Sequence, residues 1–216
     1  TLEFPCAAYQ EEYGEDLGHA IPWHWHEEME LIYVKEGKLK VQLPGKNCLL
    51  QKGDCMAINC NILHAAAAVP RCHLQSLVFH PRLVTGRDDS VFAKKYLLPL
   101  TASGTFDGCL LNGEESSGEA SAKKSGERAQ TRYFLQAFEA LAEDAPGFEF
   151  TVRENLSRIC YFLYRQFEKE LAKGEVEWNQ DSLRIRRMMD YIHRNFSESL
   201  SLADVAGAAD IGEREC

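Results

Sequence analysis

No stretch of this chain approaches the ~20 consecutive apolar residues that a bilayer-spanning helix requires, so no part of it reads as a membrane span. Basic residues are in deficit: 24 Lys and Arg stand against 33 Asp and Glu, a formal net charge of -9. That balance excludes bulk attraction to phosphate, and any contact with nucleic acid has to come from a locally organised element. The eight cysteines, Cys6, Cys48, Cys55, Cys60, Cys72, Cys109, Cys160 and Cys216, never form Cys-x-x-Cys. Free thiols in a reducing compartment are therefore expected in preference to a disulfide framework, with a redox-sensing cysteine as a minor alternative. A basic segment followed by an apolar one, the mark of an export signal, is missing near Thr1, and a cytoplasmic location is the expectation. Disorder is excluded as well, because 45% hydrophobic and 26% charged residues over 216 positions suffice to bury a core.

What the chain does have is a concentration of donors between Gly18 and His64. In His24-Trp25-His26 two imidazoles stand one pleat repeat apart, so on an extended strand both leave the same face. Glu30 keeps that parity and can join them if the chain stays extended or turns once. His64 has to arrive from a distant strand. Two or three imidazoles with one carboxylate suit a borderline divalent metal. The other histidines, His19, His73 and His80, fall outside this spacing and are expected to be surface or hydrogen-bonded, while Trp23 and Trp25, on the opposite parity, are expected to pack at the core or rim.

Gly18-x5-His24-x-His26-x3-Glu30-x6-Gly37 resembles the first cupin motif at every defining position. Gly53 and His64 match the second motif, whose proline, second glycine and final asparagine are replaced by Asn59, Asn61 and Ala68. The resemblance implies a double-stranded β-helix, or jelly-roll, barrel. It also implies that His24, His26, Glu30 and His64 bind a small effector, or hold a divalent metal (Zn, Ni, Mn or Fe); the drift of the second motif tips the balance slightly against the ion.

Local patterns agree with a mainly β, then α, chain. Leu39, Val41 and Leu43 alternate with polar residues before a turn at 44–47, Gly53-Asp54 marks another turn, and Cys72 to Phe79 reads as a later strand. A short helix is expected near Val91 to Leu98, stopping before Pro99. The barrel accordingly spans 1–111, and the Gly-, Ser- and Glu-rich stretch 112–127 is a flexible loop. Two antiparallel helices fill 128–174, the first carrying Phe134, Phe138 and Leu141, the second Val152, Leu156, Ile159, Leu163, Phe167 and Leu171. Tyr161, Phe162 and Tyr164 extend the second helix's apolar surface beyond one stripe, which predicts a homodimer through these helices.

A different module opens near Ser182. Ile185, Met188, Met189, Ile192 and Phe196 share a helix face, Ser201 with Asp204 is an N-cap signature, Leu202, Val205, Ala206 and Ala209 are the apolar side of a short helix, and Ala208 to Gly212 suits a tight turn. Tyr191-Ile192-x2-Asn195-Phe196, Leu200-Ser201-Leu202-Ala203-Asp204-Val205-Ala206 and Ile211-Gly212-Glu213-Arg214 resemble the start of the DNA-binding domain of AraC-family transcription regulators. By that resemblance 182–216 is an incomplete first helix-turn-helix, with Glu213 and Arg214 opening the recognition helix. The expected function is that of the ligand-sensing and dimerisation part of such a regulator, not an enzyme, with operator DNA a partner of the full-length parent only. The rival is a metal-dependent cupin enzyme of dioxygenase or isomerase type, which leaves 182–216 without a purpose. A dimerisation module with a vestigial pocket is the blandest alternative.

Overall fold

A computed structural model describes residues 3–14, 20–111, 129–173 and 180–216. Gly18, His19, the loop at 112–127 and most of the expected boundary after Lys173 lie outside the described residues. Seven antiparallel strands form the first half: β1 (Cys6–Tyr13), β2 (Ala20–His24), β3 (Met29–Leu43), β4 (Lys46–Gln51), β5 (Cys55–Ile58), β6 (His64–Phe79) and β7 (Gly108–Leu110). Helices α1 (Arg82–Thr85), α2 (Leu98–Ala102), α3 (Ala129–Glu143), α4 (Phe148–Ala172), α5 (Gln180–Asn195) and α6 (Leu202–Ala208) complete it. The architecture is the expected barrel followed by helices. Among the described residues, no helix is long and apolar enough to cross a membrane.

Two long strands organise the barrel. β3 and β6 pair along nearly their whole length, from Met29 opposite Phe79 to Gln42 opposite Ala65, with register breaks on either side of the Glu36–Gly37 step. At that break the sheet turns its corner. Before it β3 also pairs β5 and β6 also pairs β1; after it β3 pairs β4 and β6 pairs β2. Gly37 has φ +79, and a Cβ there would lie 2.0 Å from the Arg71 carbonyl oxygen, so no other residue fits the corner without moving backbone.

Alternation along β3 separates two cores. Met29 and Leu31 point outward with Leu77 and Phe79 and meet the helices through Phe134, Val152, Leu156, Ile159 and Leu163. Ile32, Val34, Val41 and Leu74 point inward and fill the barrel with Met56 and Ile58. The stripe of α4 thus covers the barrel as its spacing predicts, while Phe150 and Tyr161 on other faces stay 82% and 56% exposed.

Three expectations need correction. The strand expected over 72–79 begins at His64, because Ala65 to Ala68 hide any alternation and Pro70 reads as a breaker; Pro70 falls in the unpaired step between Ala68 and Cys72, where its missing N–H costs nothing. The short helix near Val91 does not stop before Pro99. Its π-helical turn at Ala93–Leu97 runs directly into α2, with Pro99 in the first α turn, where an N–H would have no partner in any case. Leu202, expected on the buried face of α6, is 54% exposed. The N-cap signature is a full capping box: Asp204 N–H donates to Ser201 Oγ at 3.2 Å and Ser201 N–H to Asp204 Oδ2 at 3.0 Å. Asp210, with φ 56, reverses the chain after α6, and Glu215 and Cys216 N–H both bond the Gly212 carbonyl, so a helical turn starts at Glu213 and Arg214.

Candidate effector and metal site

His24, His26, Glu30 and His64 come together, each offering a ligand atom, with these atoms within 4.8 Å of one another. Register explains how. His24 at the end of β2 pairs directly with His64 at the start of β6, and their rings lie 4.1 Å apart. The chain then leaves the sheet, bends at Glu27 and Glu28, and enters β3 with Glu30 pointing into the barrel. A hydrogen bond of 2.9 Å from Asn61 N–H to the His26 carbonyl holds that bend against the loop leading to His64.

Backbone carbonyls fix the protons. Nδ1 of His24 is 2.8 Å from the Pro22 carbonyl, Nδ1 of His26 is 3.0 Å from that of Glu28, and Nδ1 of His64 is 2.7 Å from that of Ile62. A carbonyl oxygen only accepts, so each Nδ1 carries hydrogen, and each neutral ring turns the bare lone pair of Nε2 toward its neighbours. Glu30 then meets acceptors. Its Oε2 is 3.0 Å from His64 Nε2 and 3.6 Å from His26 Nε2, and the latter atom is buried without a hydrogen-bond partner. Three inward lone pairs beside a carboxylate repel one another unless a proton or a cation lies among them.

The titration behaviour carries the same message. Burial alone would raise the Glu30 carboxyl, but the His26 and His64 rings outweigh it and hold the group at about 2. His26 is raised: burial opposes its charged form, and the Glu30 carboxylate overcomes that penalty. His24 is lowered, by burial first and by His64 and His26 beside it. With each Nδ1–H anchored and each Nε2 free, the donor set fits a borderline divalent ion, which these four residues would hold; it would supply a Lewis-acidic anchor for an oxygen of a bound molecule.

Beside the cluster opens a cavity of about 720 Å³ lined by residues that include Tyr9, Ile21, Ser76 and Val78 with His24, His26 and Glu30. Pairing sets its floor: Glu30, Val78 and Ala7 stand in one cross-strand row, Ile32, Ser76 and Tyr9 in the next. The volume lies in the range of small-molecule sites, and the wall mixes apolar residues such as Ile21, Leu74 and Val78 with polar ones that include Glu11, Glu28 and Arg82.

The remaining sequence assignments divide. His73 lies 3.9 Å from Glu12, and His80 Nδ1 accepts from Arg82 N–H at 3.0 Å, so both are surface or hydrogen-bonded groups as expected. Trp23 is a rim residue, 51% exposed. All eight cysteines are free, and burial pushes the Cys60 and Cys160 thiols up to about 12, which leaves them poor nucleophiles. Sequence reasoning missed a brace. Asn59, fully buried where the cupin pattern has proline, donates to the Phe106 and Thr101 carbonyls at 2.9 and 3.2 Å and accepts from Cys60 N–H at 2.8 Å. Asn61, where the pattern has glycine, adopts φ 57, a conformation asparagine tolerates. The drifted motif therefore keeps the loop that delivers His64.

Residues 16–71 match the family model described as a cupin domain. Over 222 aligned residues, 100% of this chain and 70% of the relative, the chain is 23% identical to an uncharacterized HTH-type transcriptional regulator, YdeC, of Bacillus subtilis strain 168. Among solved structures, ToxT from Vibrio cholerae O395 aligns over 98% of this chain and 72% of its own, with TM-score 0.48 and 8% identity. A cupin-like protein from Thermotoga maritima aligns over 35% of this chain and 58% of its own, under two thirds of that protein, with TM-score 0.33 and 26% identity.

Proposed function

We propose that this chain is the ligand-sensing and dimerisation part of a bacterial AraC-type DNA-binding transcription regulator, in which a small effector occupies the cupin barrel and is anchored at His24, His26, Glu30 and His64. The observation that carries this reading is the presence in one chain of an inward-facing donor cluster beside a cavity and of the helix α5 followed by the capped α6 and one further helical turn. An enzyme needs the first and not the second. The similarity to a transcriptional regulator over the full length of this chain supports the same reading.

From Ser182 onward the chain has five Arg against six Asp and Glu, and only the exposed Glu213 and Arg214 stand where a recognition helix would meet bases. The 216-residue chain is therefore expected to show no sequence-selective band in a mobility-shift assay, and the full-length parent to select a site from a random duplex pool. Tight selective binding by the 216-residue chain itself would place the DNA-reading surface elsewhere. Failure of the full-length protein to select any sequence would remove the regulator reading.

The dimer rests on the second face of α4. Phe150 and Tyr161 flank a cavity of about 610 Å³ with Phe92 and Tyr96, and this surface is mostly apolar, with both side chains exposed among the described residues. Light scattering at tens of micromolar should report a dimer for the wild type and a folded monomer for Phe150→Glu with Tyr161→Glu. A wild-type monomer at that concentration rules out the dimer.

A further inference from the structure

The segment that delivers two of the ring donors has a second side. His24 and His26 face the cluster, whereas Trp25 and Glu27 face α5: the Trp25 and His193 rings meet edge to face at 5.8 Å, and His193 Nε2 lies 3.9 Å from Glu27 Oε1. Arg186 stands two turns before His193, on the same side of the helix. Cys60 belongs to the loop that continues to Asn61, bonded to the His26 carbonyl, and to Ile62, whose carbonyl aims His64. One face of α5 thus lies against the 24–28 loop, which the Asn61 bond ties to the loop that delivers His64.

We infer that α5 reads the occupancy of the four-residue cluster: filling the cluster tightens the docking of α5 on the 24–28 loop through Trp25, Glu27 and His193. The inference rests on the reading of the cluster as an ion or effector anchor. Its mechanical basis is the mismatch in spacing. The donor atoms now lie up to 4.8 Å apart, and tetrahedral bonds of about 2.0–2.2 Å to a shared ion would bring even the widest pair to about 3.3–3.6 Å. That contraction has to be taken up by the bend at Glu27 and Glu28, because the β2–β6 pairing at His24 and His64 and the β3–β6 pairing at Glu30 fix the flanking strands. Trp25 and Glu27 ride on that bend. Since α5 leads directly to the capped α6, a change in its docking changes the presentation of everything that follows it. Linkage then demands the converse: loss of the α5 contact has to weaken the affinity of the cluster by the same factor.

The test uses the whole 216-residue chain and zinc alone as the probe. Hydrogen exchange of α5 amides is measured in chelator and in saturating zinc, with β3 and β6 amides as the control for an intact barrel. Zinc should slow α5 exchange by about fivefold or more, and His193→Ala, a change outside the donor set, should weaken zinc binding by a similar factor while abolishing the α5 response. Stoichiometric zinc binding that leaves α5 exchange unmoved overturns the inference and leaves the anchor reading standing. If zinc does not bind at all, the anchor reading fails, and the coupling is then decided by His26→Ala in chelator. Altered α5 exchange in that variant sustains the coupling, and unchanged exchange overturns it too.

Discussion

Prepared without chelator, the chain is expected to carry one divalent ion, and the double substitution His24→Ala with His64→Ala to release it, lowering zinc affinity by about a thousandfold or more while the barrel stays folded. The expectation comes from hydrogens rather than from motif matching. Each Nδ1 is committed to a backbone carbonyl, so the three Nε2 atoms have no choice but to face one another and Glu30. Three nitrogens and one carboxylate oxygen form a borderline donor set, suited to Zn, Ni, Fe or Mn rather than to Ca or Mg. Ion binding should release protons near pH 6.5, because His26 is held more protonated than an ordinary histidine by the Glu30 carboxylate and must lose that proton to coordinate. Calorimetry in two buffers of different ionisation enthalpy measures the release, and elemental analysis measures the stoichiometry. Zinc that survives the double substitution, or a wild-type chain that stays empty after dialysis against zinc, sinks the metal anchor.

The second large effect is on acid stability in the presence of chelator. Glu30 has a folded value of about 2 against 4.5 for an ordinary glutamate, so its stabilisation is complete above pH 4.5 and disappears as pH falls from there toward 2. The size is on the order of 3 kcal/mol, shared with the histidines that produce it. His26 runs the other way: its raised value means its contribution is present below 6.5 and is lost as pH rises through the folded value. His24, lowered, gives stability above 6.5 that is lost as the ring protonates at lower pH. Glu30→Gln should cost about 1–3 kcal/mol at pH 6, by leaving the rings without their counter-charge, and should lose much of the decline between pH 4.5 and 3. Thermal unfolding of both proteins from pH 7 to 3 checks this. Curves that run parallel throughout would show that Glu30 is not the group that titrates.

Much of the site was legible because it obeys a period of two. His24 and His26 share a face for that reason, and the same alternation sorts Met29 and Leu31 from Glu30 and Ile32 on β3. The arrival of His64 was predictable only from motif spacing, since it depends on a β2–β6 pairing that no local pattern encodes. Other features left no signal of their own. β6 was half hidden by a run of alanines and a proline, and β7 is three residues long. The brace at Asn59 replaces a proline's rigidity with three hydrogen bonds, a chemical equivalence invisible to residue matching. On α5, His193 was in the sequence, but nothing there said that the loop carrying His24 and His26 lies opposite it. Leu202 misled because its apolar spacing on so short a helix does not guarantee a neighbour to bury it.

Each imidazole is aimed by a carbonyl two residues away on its own segment: Pro22 for His24, Glu28 for His26 and Ile62 for His64. The local aim of each donor ring is thus inherited with a three-residue piece of chain. A lineage can reshape the far wall of the cavity for another occupant without touching the carbonyls that aim the rings. Loss runs by whole units: one ring can vanish while its neighbours stay pointed at the same spot. For an engineer, the three tripeptides are separate cassettes, and the chemistry of the centre can be rewritten one cassette at a time.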